Sequence, residues 1–331
     1  MQVNLKIQRY NPDTDEQSLE RYSVDVPEEA TLLDVLDVIK DEQDGTLSYR
    51  KSCRMAVCGS CGMRMDGGAV LACKTPMKEV SDSGHEPVIS PMGNLPVIKD
   101  LVVDMEPFWE KFRAIKPYLD DTGSDAPAKE WRVQQAELDR VMKEALCIQC
   151  GCCVSECNSM ESDPDFLGPA ALAKAARFVY DVRDRGGKQR LELVNGPHGV
   201  WDCTRCYFCN ERCPKGVDPR DAIAKVGAEI YQQGMHSDKG ARHAKVFVKS
   251  TYQSGYLLET NLVPETVGAV NAIKDIPFAL RLARAGKVPN PLKPHKAGKL
   301  DEVRDLEKLV GGQEQDALKQ ANAGPRRPPD E

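Results

Sequence analysis

Thirteen cysteines constrain this chain of 331 residues more than any other feature, because they are not scattered as disulfide partners would be. They fall into three groups with short internal spacings, which reads as metal ligation by reduced thiols. The first group, CRMAVCGSCGMRMDGGAVLAC, sets Cys53, Cys58, Cys61 and Cys73 as C-x4-C-x2-C followed by one more cysteine. That is the plant-type [2Fe–2S] spacing. A cluster of net negative charge needs four thiolates and backbone N–H groups aimed at its sulfurs. Ala56, Gly59, Ser60 and Gly62 are small enough for a loop to wrap tightly and present those groups. A structural zinc site is the alternative, but zinc motifs usually arrive as two C-x2-C pairs. Lys51, Arg54, Arg64 and Lys74 either offset the cluster's charge or are ordinary solvated cations.

The second group, CIQCGCCVSEC, gives Cys147, Cys150, Cys153 and Cys157 as C-x2-C-x2-C-x3-C. The third, CTRCYFCNERCPKG, gives Cys203, Cys206, Cys209 and Cys213 with the same spacing, followed by Pro214. This is the bacterial ferredoxin run, twice. In it, three cysteines of a run hold one cluster and the fourth holds the other. Cys147, Cys150 and Cys153 would then share a [4Fe–4S] cubane with Cys213. Cys203, Cys206 and Cys209 would share the second with Cys157. Four ligands for each of three clusters leave Cys152 over, and it reads as a small buried residue beside a cluster.

Alternation of Val3, Leu5 and Ile7 with polar residues predicts a strand, with Asn11-Pro12-Asp13 as a turn and Leu19–Val26 as its hairpin partner. Thr31 caps a predicted helix through Lys40. Residues 63–65 and 70–72 flank Asp66-Gly67-Gly68 as a second hairpin, and Val88 and Ile89 form a last strand. A mixed sheet crossed by one helix, with a cysteine loop attached, is the β-grasp ferredoxin arrangement. From Leu101 the pattern is helical, with DLVVDMEPFWEKFRAIKPYL as a connecting helix and DDTGSDAPAKE as a polar surface loop. The predicted fold is α+β: a β-grasp [2Fe–2S] domain over 1–100, an α-helical ferredoxin domain over 101–240, a helical extension over 241–310 and a disordered tail over 311–331. The extension carries more apolar residues than a terminal appendage normally exposes. They include Tyr252, Tyr256, Leu262, Ile276, Phe278 and Leu282, and they predict that it docks a partner, with packing on its own ferredoxin domain as the alternative.

The formal net charge of −6 argues against a general nucleic-acid binder. The N-terminus MQVNLKIQRYNPD lacks a basic-then-apolar signal pattern, and no apolar run is long enough to span a bilayer. The five histidines, His85, His198, His236, His243 and His295, are dispersed. No Gly-rich nucleotide loop or nucleophile elbow is present. No substrate site is expected on this chain; the clusters carry electrons and the substrate chemistry sits on another subunit.

The order of these domains, with SCRMAVCGSCGMRMDG, LACKTP, PVIKDLVVDM, CIQCGCC and CPKGVDP, resembles the iron–sulfur subunit of succinate dehydrogenase and fumarate reductase. The resemblance covers about residues 1–235. It implies an FAD-containing flavoprotein partner with the dicarboxylate site. Electrons would pass from flavin to the centre at Cys53, Cys58, Cys61 and Cys73, then to the cubane, then to the third centre near the membrane, or the reverse. It also implies that the third centre is usually [3Fe–4S], held by the positions of Cys157, Cys203 and Cys209. Cys206 departs from that pattern and would allow a second [4Fe–4S]. The family's quinone pocket uses a Trp after the second group and a His in the third. Here NSMESDPDF follows Cys157, and Thr204 follows Cys203.

The segments FVKSTYQSGYLLETNLVPETVG and FALRLARAGKVPNPLKPHKAGKLDEVRDL are similar to the end of the small iron–sulfur subunit of heterodisulfide reductase. Together these features resemble the variant class whose third subunit is cysteine-rich and heterodisulfide-reductase-like. The expectation is an electron-transfer subunit of a succinate:quinone or quinol:fumarate oxidoreductase, peripheral on the cytoplasmic face of the membrane through its partners. A thiol:fumarate or heterodisulfide-linked complex is the alternative, and a redox-inactive zinc scaffold is a third reading.

Overall fold

The computed structural model describes residues 1–121, 127, 129–235, 238–287, 298, 300–302 and 305. Part of the polar loop at 120–130, most of 288–310, the tail after Gly311, and His236 and His295 lie outside the described residues. The chain divides into two compact units, Met1–Val226 and Gly227–Glu331.

The alternating pattern puts Val3, Leu5 and Ile7 on one face of strand β1 (Gln2–Asn11), where all three are fully buried. The Asn11 side-chain oxygen accepts from the Asp13 amide at 3.0 Å and turns the chain. β2 (Glu16–Asp25) returns antiparallel, with Leu5 opposite Tyr22 and Val3 opposite Val24. Thr31 and Asp34 form a capping box at α1 (Leu32–Val38), whose buried Leu32, Leu33, Val35 and Leu36 join the core of the sheet. The helix expected through Lys40 ends as an α-helix at Val38 and continues as a π turn over Ile39–Gln43. β3 (Gly62–Met65) and β4 (Gly68–Leu71) form the second hairpin, turned at Asp66 and Gly67 with positive φ. After α2 (Lys78–Ser83), β5 (Val88–Ser90) enters between β1 and β3, parallel to the first and antiparallel to the second. The order β2-β1-β5-β3-β4 is the expected β-grasp sheet.

The segment from Asp100 differs from the connecting helix expected there. It opens as an antiparallel pair, β6 (Val97–Lys99) and β7 (Val102–Val103), and α3 occupies only Glu106–Ala114. The reason is Asp100, which turns the chain with φ +47°. Its buried carboxylate accepts from the Tyr10 amide at 3.1 Å, the Ser48 amide at 2.8 Å and Arg9 Nε at 3.0 Å. An aspartate that satisfies backbone amides in this way competes with helix formation.

The rest of the first unit is helical: α4 (Gln135–Asp139), α5 (Met142–Ala145), α6 (Cys152–Ser155), α7 (Asn158–Ser162), α8 (Gly168–Val179), α9 (Gly187–Val194), α10 (Phe208–Glu211) and α11 (Pro219–Gln232), which runs past the unit's edge. The alanine-rich α8 is buried along most of its length, and α3, α5, α6 and α9 pack on it. Arg190 of α9 is buried against Asp184, with the Lys116 and Tyr118 carbonyls accepting at 3.0 and 2.6 Å. Its charge is therefore compensated rather than stranded.

The second unit holds α12 (Lys239–Ser254), α13 (Glu259–Val267), α14 (Ala269–Ala272) and α15 (Ile276–Arg284). α12 and α13 pack together and are joined by Lys249–Glu265 at 2.8 Å. Pro264 lies inside α13, which ends at Gly268. Among the described residues no helix is long and apolar enough to cross a membrane.

Asp100→Ala takes the Nε partner from Arg9, which keeps Glu20 and Asp44, and leaves the Tyr10 and Ser48 amides without their side-chain acceptor. It is expected to destabilise the first unit by about 2 kcal/mol, measured as a lowered midpoint in denaturant unfolding; an unchanged midpoint would dismiss this role.

Candidate metal centres

The loop between α1 and β3 is shaped by left-handed backbone at Arg54 (φ +58°), Ala56 (+55°) and Gly59 (+75°). These steps turn amides toward sulfur. The Met55, Val57 and Cys58 N–H groups reach Cys53 Sγ at 3.4, 3.3 and 3.3 Å, and the Ala56 N–H reaches Cys73 Sγ at 3.3 Å. Cys61 Sγ lies 3.3 Å from Cys73 Sγ, and Cys58 Sγ 3.1 Å from Ser60 Oγ. Cys61 and Cys73 are buried, while Cys58 is exposed. The Ser60 hydroxyl and nearby amides lower the Cys58 thiol to about 6, and burial pushes Cys61 up to about 12.

The nearby cations are already engaged. Lys51 and Arg54 pair with Asp37 at 2.7 and 2.5 Å, and Arg64 pairs with Glu156 at 3.1 Å. Lys74 donates to the Pro214 carbonyl at 3.1 Å, next to Cys213.

The two later runs repeat one backbone design. In the second run, Gln149 and Gly151 flank Cys150 with φ +59° and +80°; in the third, Arg205 and Tyr207 flank Cys206 with φ +59° and +68°. Gly151 (ψ −6°) and Tyr207 (ψ −7°) each cap a four-residue helix, α6 and α10, with Cys153 and Cys209 at the second position. The Cys157 amide then bonds the Val154 carbonyl, and the Cys213 amide bonds the Asn210 carbonyl, at 3.1 and 3.2 Å. Cys206 therefore occupies the same place in the third run that Cys150 occupies in the second.

The thiols also group across the runs. Burial raises Cys153 well above its ordinary pKa, and Cys150, Cys147, Cys209 and Cys213 add to the rise. Cys147 is raised by burial with Cys150 and Cys213 beside it. Burial pushes Cys209 up to about 12, reinforced by Cys203, Cys157 and Cys206. Burial likewise raises Cys157 and Cys203, and Cys206 adds to both. Packed thiols that oppose one another's ionisation, with amides turned toward some of the sulfurs, fit iron–sulfur centres, which displace the protons and share the charge.

Residues 4–110 match the family described as a 2Fe-2S iron-sulfur cluster binding domain, and residues 145–217 match a 4Fe-4S dicluster domain. The fumarate reductase iron-sulfur subunit of Haemophilus influenzae is 43% identical over 255 residues, covering 72% of this chain and 98% of that protein. The 8-methylmenaquinol:fumarate reductase iron-sulfur subunit of Wolinella succinogenes is 39% identical over 292 residues, covering 86% and 89%. Among solved structures, a chain of the Mycobacterium smegmatis Sdh1 complex in the apo form aligns with TM-score 0.65 and 25% identity, over 71% of this chain and 97% of that one. The chain belongs to the iron–sulfur subunits of fumarate reductase and succinate dehydrogenase. Its role is electron transfer, and a [2Fe–2S] and a [4Fe–4S] centre are among its cofactors.

Several features of this iron–sulfur subunit gave no signal in the sequence. Lys174, far from any cysteine in the chain, lies near Cys147, and Lys111 lies near Cys157. Lys215 is close to Cys150, and Arg205 and Arg220 are close to Cys203. Where the resemblance places a Trp and a His, the Thr204 amide donates to Ser159 Oγ at 3.1 Å and ties the Cys157 and Cys203 loops together. His85 meets Asp66 at 2.9 Å, and His198 meets Asp163 at 2.7 Å with Asp202 close by; neither histidine joins a thiol set.

Cys152 is fully buried and packs in the core of the β-grasp sheet, with its thiol against Cys150. Cys152→Ser is expected to leave iron content and EPR signals nearly unchanged. Disappearance of a whole cluster signal from that variant would make Cys152 a ligand after all.

Proposed function

We propose that this subunit passes electrons between an FAD-containing flavoprotein that interconverts succinate and fumarate and a quinone-linked third subunit that is cysteine-rich and heterodisulfide-reductase-like. Cys53, Cys58, Cys61 and Cys73 hold a [2Fe–2S] centre. Cys147, Cys150, Cys153 and Cys213 hold a [4Fe–4S] centre, and Cys157, Cys203, Cys206 and Cys209 hold a second one. When bound, the three centres take up one electron each, so a two-electron flavin reaction is delivered in single steps. The protein's contribution is to fix the thiols, aim backbone amides at the sulfurs and set the local charge. Residues 1–100 and 101–240 are the two ferredoxin domains, and the segment after 240 is the surface for the third subunit. Membrane attachment runs through partners, on the cytoplasmic face.

The reach of the alignment with the 8-methylmenaquinol:fumarate reductase subunit supports a quinone-linked variant. It covers 86% of this chain, well past the ferredoxin segments. The exposed Ile276, Phe278 and Leu280 of α15 supply apolar surface for the docking. Electron transfer from succinate to a quinone analogue, set against reduction of fumarate by a dithiol donor, decides between this reading and a thiol-linked complex.

The observation that carries the four-thiol third centre is the repeated backbone around Cys150 and Cys206. A [4Fe–4S] centre is diamagnetic when oxidised, whereas a [3Fe–4S] centre gives a sharp EPR line in that state. Anaerobically purified wild-type protein is expected to contain about ten irons per chain and to lack the sharp line. Cys206→Ser is expected to create that line, remove one iron and raise the potential of the third centre. A stoichiometric [3Fe–4S] line in wild-type protein would return Cys206 to the status of a free thiol.

A further inference from the structure

Each of two first-set cysteines is followed by a glycine, Gly59 after Cys58 and Gly62 after Cys61, and both glycines touch the second run. A Cβ at Gly59 would stand 2.9 Å from both Cα and Cβ of Cys150 and 3.0 Å from the Ile148 carbonyl oxygen. A Cβ at Gly62 would stand 3.1 Å from the Cys150 carbonyl oxygen and 3.0 Å from Met92 Sδ. At Gly59 the obstructing atoms are a ligand-bearing backbone and its Cβ, which cannot swing aside as a flexible side chain can. Nor is the second run free to retreat as a whole. Cys152 is embedded in the core of the β-grasp sheet, and Ile148 and Cys150 pack against that core. Beside this contact the two segments part around a cavity of about 400 Å³, lined by Cys58, Ser60, Trp109, Gln149 and Cys150. Gly59 therefore marks a place where the first loop and the second run meet directly, and at Gly62 the Met92 side chain shares the contact.

We infer that Gly59 and Gly62 are positioning residues that set the separation of the first and second centres by seating Cys150 directly on the first loop. This rests on the ligand sets proposed above. A side chain at Gly59 forces the Cys150 backbone away from the loop, and one at Gly62 presses on the Cys150 carbonyl and on Met92, the more so as it grows. Electronic coupling between two centres falls exponentially with their separation, and dipolar magnetic coupling falls with its cube. A small outward shift therefore weakens both while every ligand remains in place.

The test uses the assembled complex, purified anaerobically and fully reduced with a low-potential reductant. The readout is microwave power saturation of the [2Fe–2S] EPR signal, which the reduced neighbouring centre makes harder to saturate. Gly59→Ala, Gly62→Ala and the bulkier Gly62→Val are compared with wild type at matched iron content. Gly59 has φ +75°, so backbone strain must be separated from the wedge. Gly67→Ala serves as that control, because Gly67 has φ +77° and nothing within 4 Å of its Cβ position. Gly62 is not in the left-handed region, so its variants probe the contact without that strain.

The expected result is a drop in half-saturation power for Gly59→Ala and Gly62→Val, with the control matching wild type. Equal saturation in wild type, Gly59→Ala and Gly62→Val at full cluster content would overturn the inference. If Gly59→Ala does not assemble, the Gly62 variants decide by the same criterion. A wild-type complex lacking either reduced signal would overturn the ligand reading itself, and the spacing argument would fall with it.

Discussion

Backbone amides directed at thiol sulfurs are the constraint to which much of this structure conforms. A thiolate set that shares negative charge is tolerable in a folded interior only if dipoles face it. Short loops achieve this by stepping into left-handed backbone, at Arg54, Ala56 and Gly59 in the first loop and around Cys150 and Cys206 in the later runs. Most of these residues are not glycine, and each such step costs on the order of 1 kcal/mol or more. A centre bound at these loops would offset the strain, which would couple cluster uptake to local folding.

The charge environment follows the same logic with different residues at each set. At the first loop, Lys51 and Arg54 are committed to Asp37, with Asp34 also 3.7 Å from Arg54, so two cations facing two carboxylates add little net positive charge. At the later sets the cations come from elsewhere in the chain: Lys174 near Cys147, Lys111 near Cys157 and Arg220 near Cys203. Burial lowers the pKa of both Lys174 and Lys111, as expected of ammonium groups kept close to thiols by the fold rather than by solvent. These placements are tertiary, and potentials of such centres respond to them.

Legibility in the sequence tracked the range of the interaction. The alternation of Val3, Leu5 and Ile7, the Thr31 cap and the Asp66-Gly67 turn are local, and each is readable as a β-grasp element. The cysteine spacings announced three groups for the same reason: a loop that wraps a cluster is a local object. Asp100 was misread because its partners are Arg9, Tyr10 and Ser48, distant in the chain, and their pull converts an apolar helical pattern into a turn between two short strands. Lys174 gave no signal because an alanine-rich helix carrying one lysine looks like any amphipathic helix. Spacing marks Cys152 as a surplus, buried residue beside a cluster, but that it enters the core of the β-grasp sheet is tertiary and gives no signal.

That burial changes how the two ferredoxin segments should be regarded. The sheet and the second cysteine run share a core through Cys152, Ile148 and Cys150, and both segments fall in one compact unit. A relay needs its terminal centres near the surface and its middle centre held at fixed range from its neighbours. The first loop has exposed Cys58 framed by Met55 and Val57, which are 71% and 57% exposed. The third run exposes Tyr207 and Phe208 beside Cys206 and Cys209. The second run is instead pressed beneath the first loop, with Cys150 against Gly59 and Gly62. Apolar surface at the two outer thiol sets and glycine contact at the inner one are what a subunit requires if it is to exchange electrons with two different partners and keep them moving in sequence between.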